Sequence, residues 1–144
     1  MRQRVLALLG VLASPVVVSC GGEPDILISN GAEVAQPAAE VELLDARSAQ
    51  SFLNESNPIV IDVRTQEEFD VGYIAGATLI DMSSPGFIDA ISSLDRSATY
   101  FVYCRSGNRS AAATKSMIDI GFTSVYELDG GILAWSAAGN PIES

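Results

Sequence analysis

Along this chain, short apolar runs rich in Val, Ile, Tyr and Phe alternate with stretches whose apolar residues recur at helical spacing. The alternation starts near Val41. VELLD at 41–45 reads as a short strand, and ARSAQSFLNES after it reads as a helix with Asp45 as N-cap. PIVIDVR at 58–64 is an almost continuous β-branched run, which predicts a strand buried on both faces. Thr65, Gln66, Glu67 and Glu68 have the form of a capping box and predict a short helix ahead of Phe69. ATLID at 77–81 predicts another strand. Ser84 followed by Pro85 predicts a helix start, with proline in the first turn and the helix running to about Ser93. ATYFVYC at 98–104 is the most apolar strand. RSAAATKSMIDIG follows as a helix that opens near Ser110 and is closed by Gly121. SVYELDGG predicts a last strand, and ILAWSAAG a last helix closed by Gly139, with Pro141 beyond it.

Strands alternating with helices favour parallel pairing through right-handed crossovers. The expected fold is a single α/β domain over 41–144, with a central parallel sheet of about five strands flanked by helices. In open sheets of this kind, sites lie at the carboxyl ends of strands. Cys104 ends the most apolar strand.

The first forty residues follow another pattern. Arg2 and Arg4 precede an apolar run from Val5 to Val18, interrupted by Gly10, Ser14 and Pro15. A charged start and an apolar stretch too short to span a bilayer comfortably describe a signal peptide. The run ends in Val17-Val18-Ser19-Cys20, which resembles the lipobox of bacterial lipoproteins, with valines where that family favours Leu and Ala. The resemblance implies cleavage after residue 19 and lipidation of Cys20. It places the mature protein outside the cytoplasm, anchored to a bacterial membrane. Residues 20–40, rich in Gly, Pro, Ala and acids, then read as a flexible tether; Ile26 to Ile28 is its one apolar exception.

Composition narrows the chemistry. The 144 residues suffice for one domain, and 48% hydrophobic content allows a core. The net charge is −10, which argues against nucleic acid as a partner. Removal of Arg2 and Arg4 leaves six basic against eighteen acidic side chains, or −12. Anionic headgroups would repel such a chain, so its membrane attachment has to come from acyl chains. There is no histidine, which excludes a His-based zinc site and a Cys–His dyad. No metal and no cofactor is expected. The two cysteines, Cys20 and Cys104, stand in unlike surroundings and read as separate devices.

The stretch from Cys104 carries the chemistry. Arg105, Ser106, Gly107, Asn108 and Arg109 must curl between a strand end and a helix, and Gly107 permits positive φ. A curled loop at a helix N-terminus turns its N–H groups inward as an anion nest. The inward N–H groups, the helix end and the charges of Arg105 and Arg109 would together favour thiolate over thiol.

These residues resemble the rhodanese (sulfurtransferase) family. Cys104-Arg105-Ser106-Gly107-Asn108-Arg109-Ser110 is similar to its active-site loop. Asp62-Val63-Arg64, Glu67-Glu68-Phe69 and Gly72-Tyr73-Ile74-Ala75-Gly76-Ala77 are similar to its N-terminal signature, with Tyr73 in place of the usual His. Gly130-Gly131, Ala134-Trp135 and Gly139-Asn140-Pro141 are similar to its C-terminal signature. The resemblance implies that Cys104 takes a sulfane sulfur from a donor such as thiosulfate. The persulfide so formed passes its sulfur to a thiophilic acceptor, a thiol or cyanide, with a protein acceptor as the alternative. Arg105 would face the mouth of the site, and Arg109 would brace the loop against acids of the fold. Asp62 and Arg64 are either supports of the loop or an ordinary ion pair. Trp135 is expected in the core. Three rival functions share this pattern: a phosphatase or arsenate reductase, which needs Cys-x5-Arg where this chain has Cys-x4-Arg; a binding module; and a persulfide carrier serving a protein.

Overall fold

The computed structural model describes residues 39–144. The expected signal peptide, Cys20 and nearly all of the tether lie outside the described residues. Five strands, β1 (Val41–Leu44), β2 (Ile59–Asp62), β3 (Thr78–Leu79), β4 (Thr99–Tyr103) and β5 (Ser124–Leu128), form one sheet in the order β1-β5-β4-β2-β3. Every neighbouring pair is parallel. The helices between and after them are α1 (Ala46–Ser56), α2 (Gln66–Val71), α3 (Phe87–Ser92), α4 (Asn108–Asp119) and α5 (Gly131–Ala137). The expected α/β domain with five parallel strands is what forms.

β4 takes the central place because it is the most apolar strand and needs cover on both faces. Tyr100, Phe101, Val102 and Tyr103 are all fully buried. Tyr100, Val102 and Cys104 point into one core with Phe87 and Ile91 of α3 and Ala113 and Met117 of α4. Phe101 and Tyr103 point into the other with Ala46 and Ala49 of α1 and Ile132 and Trp135 of α5. Each large side chain so buried contributes roughly 1.5–3 kcal/mol. The hydroxyls remain satisfied: Tyr100 donates to the Asp95 carbonyl at 2.8 Å, and Tyr103 accepts from the Ile74 amide at 3.0 Å. Trp135 is core as expected, its Nε1 donating to the Pro141 carbonyl at 2.8 Å.

Several local signals form as read. Asp45 caps α1 through the Ser48 amide at 2.7 Å, and the Thr65–Glu68 capping box closes reciprocally. Others shift. α3 begins at Phe87, two residues after Pro85, because the chain around Ser84 makes turns first and the Phe87 amide is held by the Ser84 carbonyl. β3 contracts to two residues at the sheet edge, where only one neighbour can pair with it. α4 begins at Asn108 and not near Ser110, because Gly107, at φ +101°, already completes the turn.

Candidate active site

The site is a loop at the carboxyl end of the central strand. β4 delivers Cys104, Gly107 turns the chain back, and α4 begins at once. The turn brings the Gly107 amide to 3.1 Å from Cys104 Sγ. It also brings the first turn of α4 against the sulfur, with Ser110 Oγ at 3.4 Å. Cys104 is 1% exposed and is the free cysteine of the described residues. Burial pushes its thiol up, yet the hydroxyl and amide of Ser110 and the amides of Ser106 and Gly107 outweigh it and hold the thiol below its usual range. The expected inward amides are therefore present. Hydrogen-bond donors close to the sulfur do most to lower the thiol, and Arg109, whose guanidinium is raised in part by the charge of Cys104, adds a positive charge near it.

Arg109 is turned aside because Glu68 claims it. Its Nη1 and Nη2 donate to the two Glu68 carboxylate oxygens at 2.6 and 2.7 Å. The same carboxylate accepts from the Thr65 amide at 3.2 Å, so one acid caps α2 and clamps the first turn of α4. Arg109 braces the loop, as expected. The Arg109 fork, opposed in part by burial, holds Glu68 down to about 2. A carboxylate held below its ordinary value contributes stability above about pH 4.5, and that contribution is lost as pH falls toward 2. Both side chains are about a third exposed, which limits the pair to about 1 kcal/mol. Glu68→Gln is therefore expected to melt earlier than the wild type at pH 6 and no earlier at pH 2. Thermal unfolding at the two pH values checks this. A deficit that persists at pH 2 would show that the pair is not its source.

Arg105 and Ser106 are exposed, as is Asn108 at the head of α4. Arg105 rims a shallow cleft of about 210 Å³ with Arg64, Glu68, Val71, Ile132 and Leu133. A larger hollow of about 300 Å³ lies away from the cysteine, between α1 and the Ala75–Gly76 turn.

Among the described residues, the Asp62 and Arg64 side chains form no hydrogen bond with the cysteine loop, although Arg64 lies 5.6 Å from the centre of the Tyr103 ring just before it, and they do not form a surface pair. Both are buried, and Arg64 Nη2 lies 2.6 Å from Asp62 Oδ2 while donating to the Gly72 carbonyl at 2.7 Å. Burial works against the Arg64 charge, but Asp62 more than compensates and raises it. The pair fastens the turn after α2 to the end of β2, next to the strand that carries Cys104. Its tie to the site is indirect, through the cleft that Arg64 shares with Arg105.

Three contributors escaped the sequence reading. Gly131, at φ +60°, lies so close to the loop that a β-carbon there would meet the Cys104 carbonyl oxygen at 2.5 Å. Beside it, the Ile132 and Leu133 amides at the start of α5 donate to the Cys104 and Arg105 carbonyls at 2.9 and 3.2 Å. Ser110 stands in the motif but was read only as the helix start. Glu127, the penultimate residue of β5, is 5% exposed and accepts from Ser110 Oγ at 2.7 Å. An acid inside the apolar run SVYEL was the available signal.

Fold and site together define a parallel α/β domain built around one activated thiol. A family model for the rhodanese-like domain matches residues 45–138, and the chain belongs to that family. The thiosulfate sulfurtransferase GlpE of Pseudomonas fluorescens is 34% identical over 97 residues, which cover 67% of this chain and 86% of that one. The probable adenylyltransferase/sulfurtransferase MoeZ of Mycobacterium tuberculosis is 32% identical over 111 residues, 76% of this chain. The chain spans only 28% of the MoeZ length. Among solved structures, a rhodanese-related protein from Thermoplasma volcanium superposes with a TM-score of 0.63 at 30% identity, over 71% of this chain and 97% of that one. At the level of the family, these relatives support a sulfurtransferase.

Proposed function

We propose that the protein is a single-domain sulfurtransferase that carries a sulfane sulfur on Cys104. The observation that carries the reading is the convergence of the Gly107 amide and the Ser110 hydroxyl on Sγ at the end of the central strand. Donors fixed in advance around a sulfur stabilise negative charge on it before and after transfer. The thiolate attacks the outer sulfur of a donor such as thiosulfate. A Cys104 S–S bond forms, the donor's S–S bond breaks, and sulfite leaves with the electron pair. A thiophilic acceptor, thiol or cyanide, then takes the outer sulfur and restores the thiolate. No further cysteine stands in residues 39–144, so the acceptor comes from outside the domain. Arg105, exposed on the cleft rim, is suited to greet an anionic donor, and Ser106, Gly107, Asn108 and Arg109 shape the ring.

Phosphate-ester hydrolysis is the less supported alternative. Both outer nitrogens of Arg109, the arginine nearest to the Cys-x5-Arg position, are engaged by Glu68, so that guanidinium fork is not free to hold a phosphoryl group. Nor do the groups hydrogen-bonded to Sγ include a general acid for a leaving alcohol. The full chain should transfer sulfur from thiosulfate to cyanide and gain one sulfur atom in intact mass after thiosulfate alone. Turnover of an aryl phosphate should run at least about 100-fold slower, the least that a missing general acid costs. Comparable rates on the two substrates would move the function to the phosphatase alternative.

We further propose that residues 1–19 are a lipoprotein signal peptide, that 20–40 are a lipidated tether and that 41–144 are the working domain. The support is Arg2 and Arg4, the apolar run and Ser19-Cys20. Cys20→Ser is then expected to move the processed protein off the membrane with its thiosulfate turnover unchanged. A processed variant retained on membranes as fully as the wild type would rule out the lipid anchor.

A further inference from the structure

Cys104 must lose a proton to react, and the chain has no histidine to take it. Among the described residues, the donors grouped around Sγ are the amides of Ser106, Gly107 and Ser110 and the Ser110 hydroxyl, with the Gly107 amide at 3.1 Å and the hydroxyl at 3.4 Å. An amide N–H accepts nothing, so the hydrogen-bonded exit for the proton is Ser110 Oγ. From there the path continues. Ser110 Oγ lies 2.7 Å from Glu127 Oε1, nearer than its 2.9 Å to the Gly107 carbonyl or its 3.4 Å to Sγ.

Counting protons sharpens the point. The Ser110 hydroxyl has one hydrogen and three acceptors around it. When Glu127 is ionised, its charge and short distance capture that hydrogen, and the sulfur loses a donor. When Glu127 is protonated, the carboxylic acid donates to Ser110 Oγ and leaves the serine hydrogen for the sulfur. The far oxygen of Glu127 has little to hold it as an anion. Its contact is Thr114 Oγ1 at 3.4 Å, and that hydroxyl also bonds the Ala111 carbonyl at 3.1 Å.

We propose that Glu127, acting through Ser110, takes the proton of the Cys104 thiol and holds it while the sulfur is anionic. The Cys104 S–H bond breaks as Ser110 Oγ accepts the proton. The Ser110 O–H bond breaks as its own hydrogen passes to Glu127 Oε1. The negative charge moves from carboxylate to sulfur, and no other reactant is consumed. Attack on a sulfane donor and the later transfer need no proton, so Glu127 stays neutral through the cycle. Glu127 touches neither sulfur nor substrate; it is a positioning residue.

The surroundings agree. Burial, reinforced by Asp129 just past the end of β5, raises the Glu127 carboxyl above its ordinary range, with Ser110 and Thr114 opposing. The other titratable groups on β5 and the elements packed against it are Tyr126 on β5, Tyr100 and Tyr103 on β4 with Cys104 just after it, Glu42 on β1, and Arg109, Lys115 and Asp119 on α4. Arg109 is engaged by Glu68 and Lys115 by Asp119, so neither supplies Glu127 with a cation. Two acids joined through one hydroxyl titrate as a pair.

The inference rests on Cys104 as the reacting thiol, but its test needs no sulfur transfer. Ultraviolet thiolate absorbance of the full chain is titrated against pH, each protein being read as the difference from its Cys104→Ser counterpart. The wild type should rise in two steps. Glu127→Gln, whose amide donates permanently to Ser110, should rise in one step about one unit below the upper wild-type step, a tenfold gain in thiolate at lower pH. Ser110→Ala should give one step shifted upward. Identical one-step curves for wild type and Glu127→Gln, or an upward shift in Glu127→Gln, would overturn the proposal. Should Glu127→Gln fail to fold, the wild-type curve decides alone: two steps support the shared proton and one step refutes it. Loss of thiosulfate turnover with the two-step curve intact would count against the sulfurtransferase reading and leave this one standing.

Discussion

Cys104→Ser is expected to reduce sulfur transfer to background while the domain stays folded. Oxygen cannot replace the thiolate: a serine hydroxyl is nearly un-ionised at neutral pH and forms no stable persulfide analogue. The fold should survive because the smaller hydroxyl occupies the same buried place and inherits the Gly107 amide and the Ser110 hydroxyl as partners. Stability should stay within about 1 kcal/mol of the wild type, the scale of one exchanged hydrogen bond. Steady-state thiosulfate:cyanide kinetics, intact mass after thiosulfate and a thermal melt measure the three consequences. A variant that still turns over, or still gains a sulfur atom, would remove Cys104 from the mechanism.

Gly131→Ala should be nearly as damaging, although this residue has no chemistry of its own. The added carbon would stand 2.5 Å from the Cys104 carbonyl oxygen and 2.6 Å from both the carbonyl carbon and the oxygen of Arg105. All three are backbone atoms, so no side chain can swing away. Either α5 retreats, and the Ile132 and Leu133 amides release the loop, or the loop shifts and the ring around the sulfur opens. The left-handed conformation at φ +60° adds about 1–2 kcal/mol for any residue with a β-carbon. Together with the overlap, the loss should reach about 2–4 kcal/mol, within the range of severe single substitutions. Turnover should fall at least about 100-fold, since a displacement near 1 Å suffices for that. Gly139→Ala is the matched comparison. Gly139 also has positive φ, +77°, but open space around it, so its substitution carries the conformational cost alone and leaves turnover intact. Equal losses of turnover in the two variants would show that contact with the loop is not what Gly131 provides.

Arg109 and Arg64 show how far a motif can be read. That Arg109 would brace the loop against acids of the fold was implied by the resemblance to the rhodanese family. Which acid would hold it did not follow, because Glu68 lies 41 residues earlier in another βα unit. Asp62 and Arg64, assigned as supports of the loop or as an ordinary ion pair, became a buried clamp on the Gly72 carbonyl. Residues two apart in sequence face one another here only because the chain turns at the end of β2.

What the sequence by itself determined is local. Apolar runs and helical spacing set five strands and five helices, and a parallel sheet follows from their alternation. Caps at Asp45 and Thr65 place two helix starts, because each cap bonds an amide only three residues away. Cys104 at a strand end, followed by Gly107, locates the reactive loop by the same short-range logic. Only the tertiary structure decided what surrounds that loop. It put β4 between β5 and β2, laid Gly131 on the Cys104–Arg105 peptide, and brought Glu127 to Ser110 across 17 residues. These contacts depend on the order in which strands pair and on how closely α5 approaches the loop. Both are outcomes of packing the whole core, and no window of a few residues contains them.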